Sequence, residues 1–266
     1  MNVAPDSGSD GGVSIDPRRV AAAAGLLLEA RVSGRTLPAL PQQDRPANEA
    51  EAYAVQDAVM AALGVSSVFK VGAKGGVGPK TSAQIPQQLV RRSPARFSLS
   101  QFGSCTLEVE IAYQLGRDLP PRVQPYAVDE VRDAIGSIVP AIEIADSRFH
   151  DYRQVDRFSQ LADNQNCGAF IMGEAVADWR AIDPHAIAAC LQVDGATIAD
   201  TIGGHKMGDP FPLVHWFANQ QSRRGRTTVA GTVITTGSFV GSIPWHRPAS
   251  IVAILQGLGR IEAVVA

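Results

Sequence analysis

The stretch Thr106-Leu107-Glu108-Val109-Glu110-Ile111-Ala112-Tyr113-Gln114-Leu115 alternates in the period-two manner of a β-strand. Glu108, Glu110 and Ala112 therefore share one face, and Leu107, Val109, Ile111 and Tyr113 the other. At ~3.3 Å rise per residue the two carboxylates stand roughly 6–7 Å apart along the backbone, close enough to converge on one ion. A third carboxylate, Glu143, interrupts the apolar strand Pro140-Ala141-Ile142-Glu143-Ile144-Ala145. An isolated anion there is costly unless it is paired or metal-bound. Three carboxylates with no evident cationic partner form a hard, oxygen-only donor set, which suits Mg²⁺ or Mn²⁺ and not zinc. The same spacing also fits glutamates on the wet face of an antiparallel strand, and spacing alone leaves both readings open.

Upstream, Asp16-Pro17 is a helix start with Asp as N-cap, and the Ala/Leu-rich run after it ends at Gly34. A second helix opens near Asn48 and stops at Gly64. Residues 16–65 thus read as a helical N-terminal region, residues 1–15 as a disordered lead-in, and residues 66–266 as a β-rich catalytic domain. Within the last, VFKVGA (68–73) is a strand and residues 73–103, dense in Gly, Pro, Ser and Gln, are mainly loop. AVDEVRDAIGSI (127–138) fits a helix, VPAIEIAD (139–146) a strand, and residues 151–164 a helix or turn region. GAFIMGEAV (168–176) and IAACLQV (187–193) are further strands, the second followed by the tight-hairpin pair Asp194-Gly195. Residues 210–225 read as a helix, 227–238 as a strand entering a Gly turn, and 251–266 as a final strand pair. The fold class is α+β, with a helical start and a β-dominated body.

Composition removes several functions. With 45% hydrophobic and 19% charged residues the chain is ordinary for a globular protein. A net charge of −2 argues against a nucleic-acid partner. No window approaches the ~20 uninterrupted apolar residues of a membrane helix. The amino terminus lacks the basic start and apolar run of a secretory signal, and Cys105, Cys167 and Cys190 show no CxxC spacing. A cytoplasmic protein with reduced thiols is expected.

Several phrases accompany the carboxylates: Phe69-Lys70-Val71-Gly72, Ala145-Asp146-Ser147-Arg148, Ala162-Asp163-Asn164, Gly208-Asp209-Pro210 with His215-Trp216-Phe217-Ala218-Asn219, and Thr235-Thr236-Gly237-Ser238. In this order and spacing the chain, from about Glu49 onward, resembles the fumarylacetoacetate hydrolase superfamily. Within it the chain looks most like the branch of 2-keto-4-pentenoate hydratases and 4-oxalocrotonate decarboxylases. The resemblance implies a fumarylacetoacetase-type β-rich core, a mixed β-sheet roll, behind a small helical N-terminal region, in homo-oligomers. It implies Mg²⁺ (or Mn²⁺) on Glu108, Glu110 and Glu143, and Lys70 as the catalytic lysine. The substrate would be a small 2-oxo acid from aromatic-compound catabolism, hydrated or decarboxylated by a lyase. The ion, a Lewis acid, would stabilise the enolate, and its charge would lower the Lys70 pKa toward neutrality.

Asp163 and Asn164 are candidates for ordering the substrate pocket, and Thr236 and Gly237 for offering a hydroxyl and an N–H to a substrate carboxylate. Arg148 would pair with a substrate carboxylate or with Asp146, and His205 would reach in from a loop; each has a plain structural reading as well. The chain departs from the pattern between Val71 and Phe102, where there is no Asp or Glu but Lys74, Lys80, Arg91, Arg92 and Arg96. That loop suggests an anionic or differently shaped substrate. Gln165-Asn166-Cys167 also stands where small Ala and Ser residues are usual. The competing readings are acylpyruvate C–C hydrolysis, which the lack of any His before His150 counts against, and a non-catalytic paralogue that binds a metal and a 2-oxo acid.

Overall fold

A computed structural model describes residues 15–103 and 105–266; the expected lead-in, up to residue 14, lies outside them. Helix α1 (Pro17–Ser33) starts where Asp16 accepts the Arg18 N–H at 2.9 Å and ends on Gly34 at φ 69°. Helix α2 (Glu49–Leu63) is capped in the same way by Asn48, whose side chain accepts from Glu51 N–H at 2.9 Å. The two helices pack on each other through Ala23, Leu27, Ala52 and Val55. They share that core with Phe149, Val155 and Leu161, so the hairpin is fastened to a segment more than 80 residues downstream, counted from Leu63 to Phe149.

The rest is a mixed α+β body of two curled sheets. The larger has eight strands: β1 (Val68–Ala73), β2 (Lys80–Gln84), β3 (Val90–Arg92), β5 (Cys105–Leu115), β6 (Ile135–Asp146), β7 (Cys167–Met172), β10 (Val233–Ser238) and β11 (Ile243–Trp245). Their order is β2-β1-β10-β5-β6-β7-β3, with β11 pairing β5. The smaller runs β4-β13-β12-β8-β9, with β4 (Ala95–Phe97), β8 (Ala188–Val193), β9 (Ala196–Ile202), β12 (Ala249–Leu255) and β13 (Gly259–Val265). The Leu107, Val109, Ile111 face of β5 joins Leu191, Ile251 and Ile261 of the smaller sheet in one apolar core. The glutamate face is thereby turned to the other side, as the alternation predicts. Three further α-helices, α3 (Val128–Ala134), α4 (Arg157–Ala162) and α5 (Phe211–Arg223), and four short 3-10 turns complete the described elements.

Three readings are corrected. Residues 73–103 are more than loop: they hold β2, paired to the preceding β1, and β3 and β4, each paired to a strand distant in sequence. The helix expected over 127–138 stops at Ala134, because Ile135 and Ile138 pair with Leu115 and Tyr113 of β5. The strand expected from residue 227 begins only at Val233. The hairpin at Asp194-Gly195 forms with φ 51° and 80°, as the dipeptide requires.

Gly168 marks the tightest approach in the sheet: a Cβ there would meet Ile144 O at 2.4 Å and Asp146 Cβ at 2.8 Å. Gly168→Ala is expected to cost about 2–3 kcal/mol in urea unfolding. Gly25→Ala, in open space on α1, should instead gain about 0.5–1 kcal/mol. Equal stability of the two variants would show that β7 is not held so close to β6.

Candidate active site

β5 and β6 pair antiparallel with Glu108 directly opposite Glu143. Glu110 follows on the same face, and one carboxylate oxygen from each of the three lies within 4.8 Å of the others. Glu110 and Glu143 are buried, at 2% and 1% exposure, while Glu108 is half-buried. Like charges directly across a strand pair repel, and burial removes the water that would screen them. Burial, then the Glu143 and Glu108 charges, push the Glu110 carboxyl well above its ordinary value. Burial also lifts Glu143, against the pull of Lys70.

Lys70 reaches this cluster from β1, across β10. Its Nζ donates to Glu143 and, at 3.1 Å, to the Gln165 carbonyl. Burial works to lower its pKa, but the Glu143 and Glu108 charges outweigh that and leave it raised. Glu143 is thus the acidic side chain that pairs with Lys70. One ammonium against three carboxylates leaves the cluster net negative, and its oxygen-only donors fit a hard divalent cation. The ligand candidates are also held in place, as metal ligands usually are: Thr235 Oγ1 and, at 3.2 Å, the Gly237 N–H donate to Glu110, and Ser242 Oγ donates to Glu108.

Lys70 lines an open cavity of about 660 Å³ together with Lys74, Thr81, Tyr152, Arg153 and Gln165. Glu108 lines a smaller one of about 150 Å³ with His205, Gly237 and Ser242, and the two cavities share Gly72 and Ala73. The chemical arrangement is a carboxylate cluster and a lysine at the meeting of two hollows.

The other expected residues are placed differently. The Thr236 hydroxyl donates to Ile111 O at 3.2 Å and the Gly237 N–H to Glu110, and both residues line the smaller cavity. Arg148 pairs chiefly with Asp163, Nε to Oδ1 at 2.5 Å, while Asp146 stands 3.9 Å away; the expected Asp146 pairing is the weaker one. Asp163 also accepts from Arg148 N and Ser147 Oγ, each at 3.0 Å, and Asn164 donates to Gln84 O at 3.0 Å. This buried pair anchors the turn Asn164-Gln165-Asn166, whose φ values of 48°, 51° and 53° are all left-handed. Such backbone costs about 1–2 kcal/mol per residue, and here it aims the Gln165 carbonyl at Lys70. Asp163, Asn164 and Arg148 therefore support the lysine from behind.

His205 reaches the smaller cavity, but Nε2 donates to Thr236 O at 2.9 Å and Nδ1 accepts Met207 N–H at 3.2 Å. Burial lowers its pKa, so it stays neutral. Cys167 and Cys105 are buried thiols pushed up by burial to about 11 and about 12, which keeps them protonated. Thr235, Ser242, Tyr152 and Gln165 were not foreseen. Thr235 sat within the quoted Thr-Thr-Gly-Ser phrase, whereas nothing local in the sequence marks Ser242 or Tyr152.

The model of the fumarylacetoacetate (FAA) hydrolase C-terminal domain matches residues 47–266. The chain belongs to the fumarylacetoacetate hydrolase family. Among curated relatives, a 2-keto-4-pentenoate hydratase of Burkholderia vietnamiensis is 29% identical over 262 residues, 93% of this chain and 98% of the relative. A 4-oxalocrotonate decarboxylase of Pseudomonas putida is 27% identical over 136 residues, 51% of each chain. The solved structure of 4-oxalocrotonate decarboxylase from Pseudomonas putida G7, complexed with magnesium and adipate, superposes with a TM-score of 0.83 at 23% identity, over 95% of this chain and 99% of that one.

The raised carboxyls set a pH dependence. A folded-state pKa above the unfolded value favours the protonated fold, and that contribution is lost as pH rises from the ordinary 4.5 through the raised value. In EDTA the melting temperature should therefore fall as pH rises above about 5. Glu110→Gln should flatten the slope, and millimolar Mg²⁺ should remove it in the parent chain. An unchanged slope in Glu110→Gln would dissociate it from the cluster.

Proposed function

We propose that this chain is a Mg²⁺-dependent lyase that interconverts keto and enol forms of a small 2-oxo acid and hydrates or decarboxylates it in aromatic-compound catabolism, as a cytoplasmic homo-oligomer. The observation that carries this reading is the meeting of Glu108, Glu110 and Glu143 with Lys70, which itself lines a cavity of substrate size. In it the three glutamates hold the ion. When bound, the ion supplies Lewis-acid stabilisation to the negative charge that develops on the 2-oxo oxygen.

Lys70 is the proton carrier. With a divalent cation sharing the Glu143 charge, part of what raises the Lys70 pKa would be removed, and Lys70 would exchange a proton with the carbon chain nearer neutrality. The Gln165 carbonyl holds Nζ in line while that proton moves. In this reading Arg148, Asp163 and Asn164 position the lysine and its turn, and Thr236 and Gly237 shape the Glu110 side of the site. Acylpyruvate hydrolysis has less support: both nitrogens of His205, the imidazole on the smaller cavity, are committed to the backbone.

The test is to incubate metal-stripped protein with 2-hydroxypenta-2,4-dienoate or 4-oxalocrotonate, with and without Mg²⁺, and to follow loss of ultraviolet absorbance. Consumption is expected only with Mg²⁺; Lys70→Ala should lower it about 10²–10⁴-fold, and Glu108→Ala should weaken Mg²⁺ binding. Which substrate reacts separates hydratase from decarboxylase. Turnover that survives EDTA, or that Lys70→Ala leaves unchanged, would sink the reading.

A further inference from the structure

A second cavity lies apart from the active site and shares no lining residue with either of its hollows. It holds about 380 Å³ among the last turn of α1, the segment entering β3, the stretch after β4 and the ends of β6 and β7. Part of its wall is apolar, from Leu89, Phe97, Phe102 and Ala169, and part is cationic, from Arg31, Arg148 and the exposed Arg91.

Arg31 differs from the arginines of the open surface. Arg18 and Arg92 also lack an ion-pair partner, but both are exposed and water carries their charge. Arg31 is half-buried, and among the described residues its guanidinium makes one hydrogen bond, from Nη1 to the Cys167 carbonyl at 3.2 Å, and no ion pair. Burial, then the Arg148 charge, lowers its pKa to about 10 against the pull of Asp163 and Asp146. Its positive charge is therefore under-compensated where it stands. Arg148 is buried and bonds Asp163 through Nε and Nη2, whereas its Nη1 makes no hydrogen bond to a described residue and lies 3.9 Å from Asp146. Asp146 is the one carboxylate among the described lining residues; it accepts the Gly103 N–H at 3.1 Å, and burial raises its pKa. Three guanidinium groups thus stand against two carboxylates, Asp146 and Asp163, and one positive charge is left over.

We propose that this cavity is a second binding site, for a small monocarboxylic acid with an apolar body, its carboxylate held by Arg31 and Arg148 and its body by Phe97 and Phe102. A guanidinium offers a carboxylate paired N–H donors, and Nε and Nη2 of Arg31 are uncommitted among the described residues. Occupancy reaches the active site through Arg148. The same guanidinium holds Asp163 and, with it, the turn that aims the Gln165 carbonyl at Lys70. A ligand that draws on Arg148 therefore changes the affinity of the catalytic site for its own ligand. This coupling rests on the 2-oxo acid site proposed above; the binding site itself does not.

Benzoate is the probe, titrated calorimetrically into the metal-free full chain. Benzyl alcohol is its uncharged match, and inorganic phosphate an anion without an apolar body. Benzoate is expected to bind at least about tenfold more tightly than either, the effect of one charge-assisted hydrogen bond. Arg31→Gln should cost a similar factor, while Arg31→Lys, which keeps the charge and loses the fork, should retain part of the affinity. Ser100→Asp, an exposed change in the cavity wall, should weaken benzoate without endangering the fold, and more so at low salt. Lys70→Ala should leave benzoate affinity unchanged. With Mg²⁺ present, saturating benzoate should shift the affinity of the parent chain for oxalate at least about fivefold. No benzoate binding, phosphate binding as tightly, binding that survives both Arg31→Gln and Ser100→Asp, or binding abolished by Lys70→Ala would each overturn the site. An oxalate affinity untouched by benzoate would overturn the coupling alone. Absence of Mg²⁺-dependent oxalate binding would overturn the 2-oxo acid reading and the coupling with it, and the benzoate titrations would still decide the second site.

Discussion

Glu108 faces Glu143 across one rung of the β5–β6 ladder, with Glu110 beside them, and nearly everything else around the site answers that crowding of negative charge. Such an apposition survives burial only with a positive partner at hand. Among the described residues Lys70 is that partner, and its pairing with Glu143 ties β1 to β6 across two intervening strands. The register must therefore be held closely. A slip by one residue would move the glutamates into the apolar core and Leu107, Val109 and Ile111 out of it.

The scaffold behind the lysine follows from the same requirement. The Nζ of Lys70 is steered by the Gln165 carbonyl, which points at it only because three consecutive residues accept left-handed backbone. That strain is held by the buried Arg148–Asp163 pair and by Asn164 bonding to β2. The helical hairpin closes the chain of support: α1 and α2 pack against Phe149, Val155 and Leu161, the stretch that carries Tyr152 and Arg153 to the cavity wall. The N-terminal helices thus fix one side of the site without giving it a ligand.

Polarity is graded across the site. It is anionic at the carboxylates, neutral along the amide and hydroxyl wall, and cationic toward Lys74 and Arg153.

Much of this was legible locally. The Asp16 and Asn48 caps, the Asp194-Gly195 hairpin and the β5 alternation are short-range physics, and Glu143 stood out as an anion in an apolar run. The linked phrases around Lys70 and Thr235-Thr236-Gly237-Ser238 added the family, and with it the inner site. What stayed hidden depended on strand pairing, most of it between distant segments. β2, β3 and β4 looked like loop because three to five residues among Gly and Pro carry no period, and only their partners make them strands. Thr235 went unmarked because register, which decides whose hydroxyl meets Glu110, comes from pairing with β5. Arg148 read as a partner of a substrate carboxylate or of Asp146, and Asp163 takes that place because α4 and its turn bring it round. The sequence by itself determined which residue types could form the site, through alternation, capping and the cost of a buried charge. Only the tertiary structure decided which of them meet, because a hydrogen bond or ion pair is made within about 3 Å, and that distance is set by strands and turns that lie far apart along the chain.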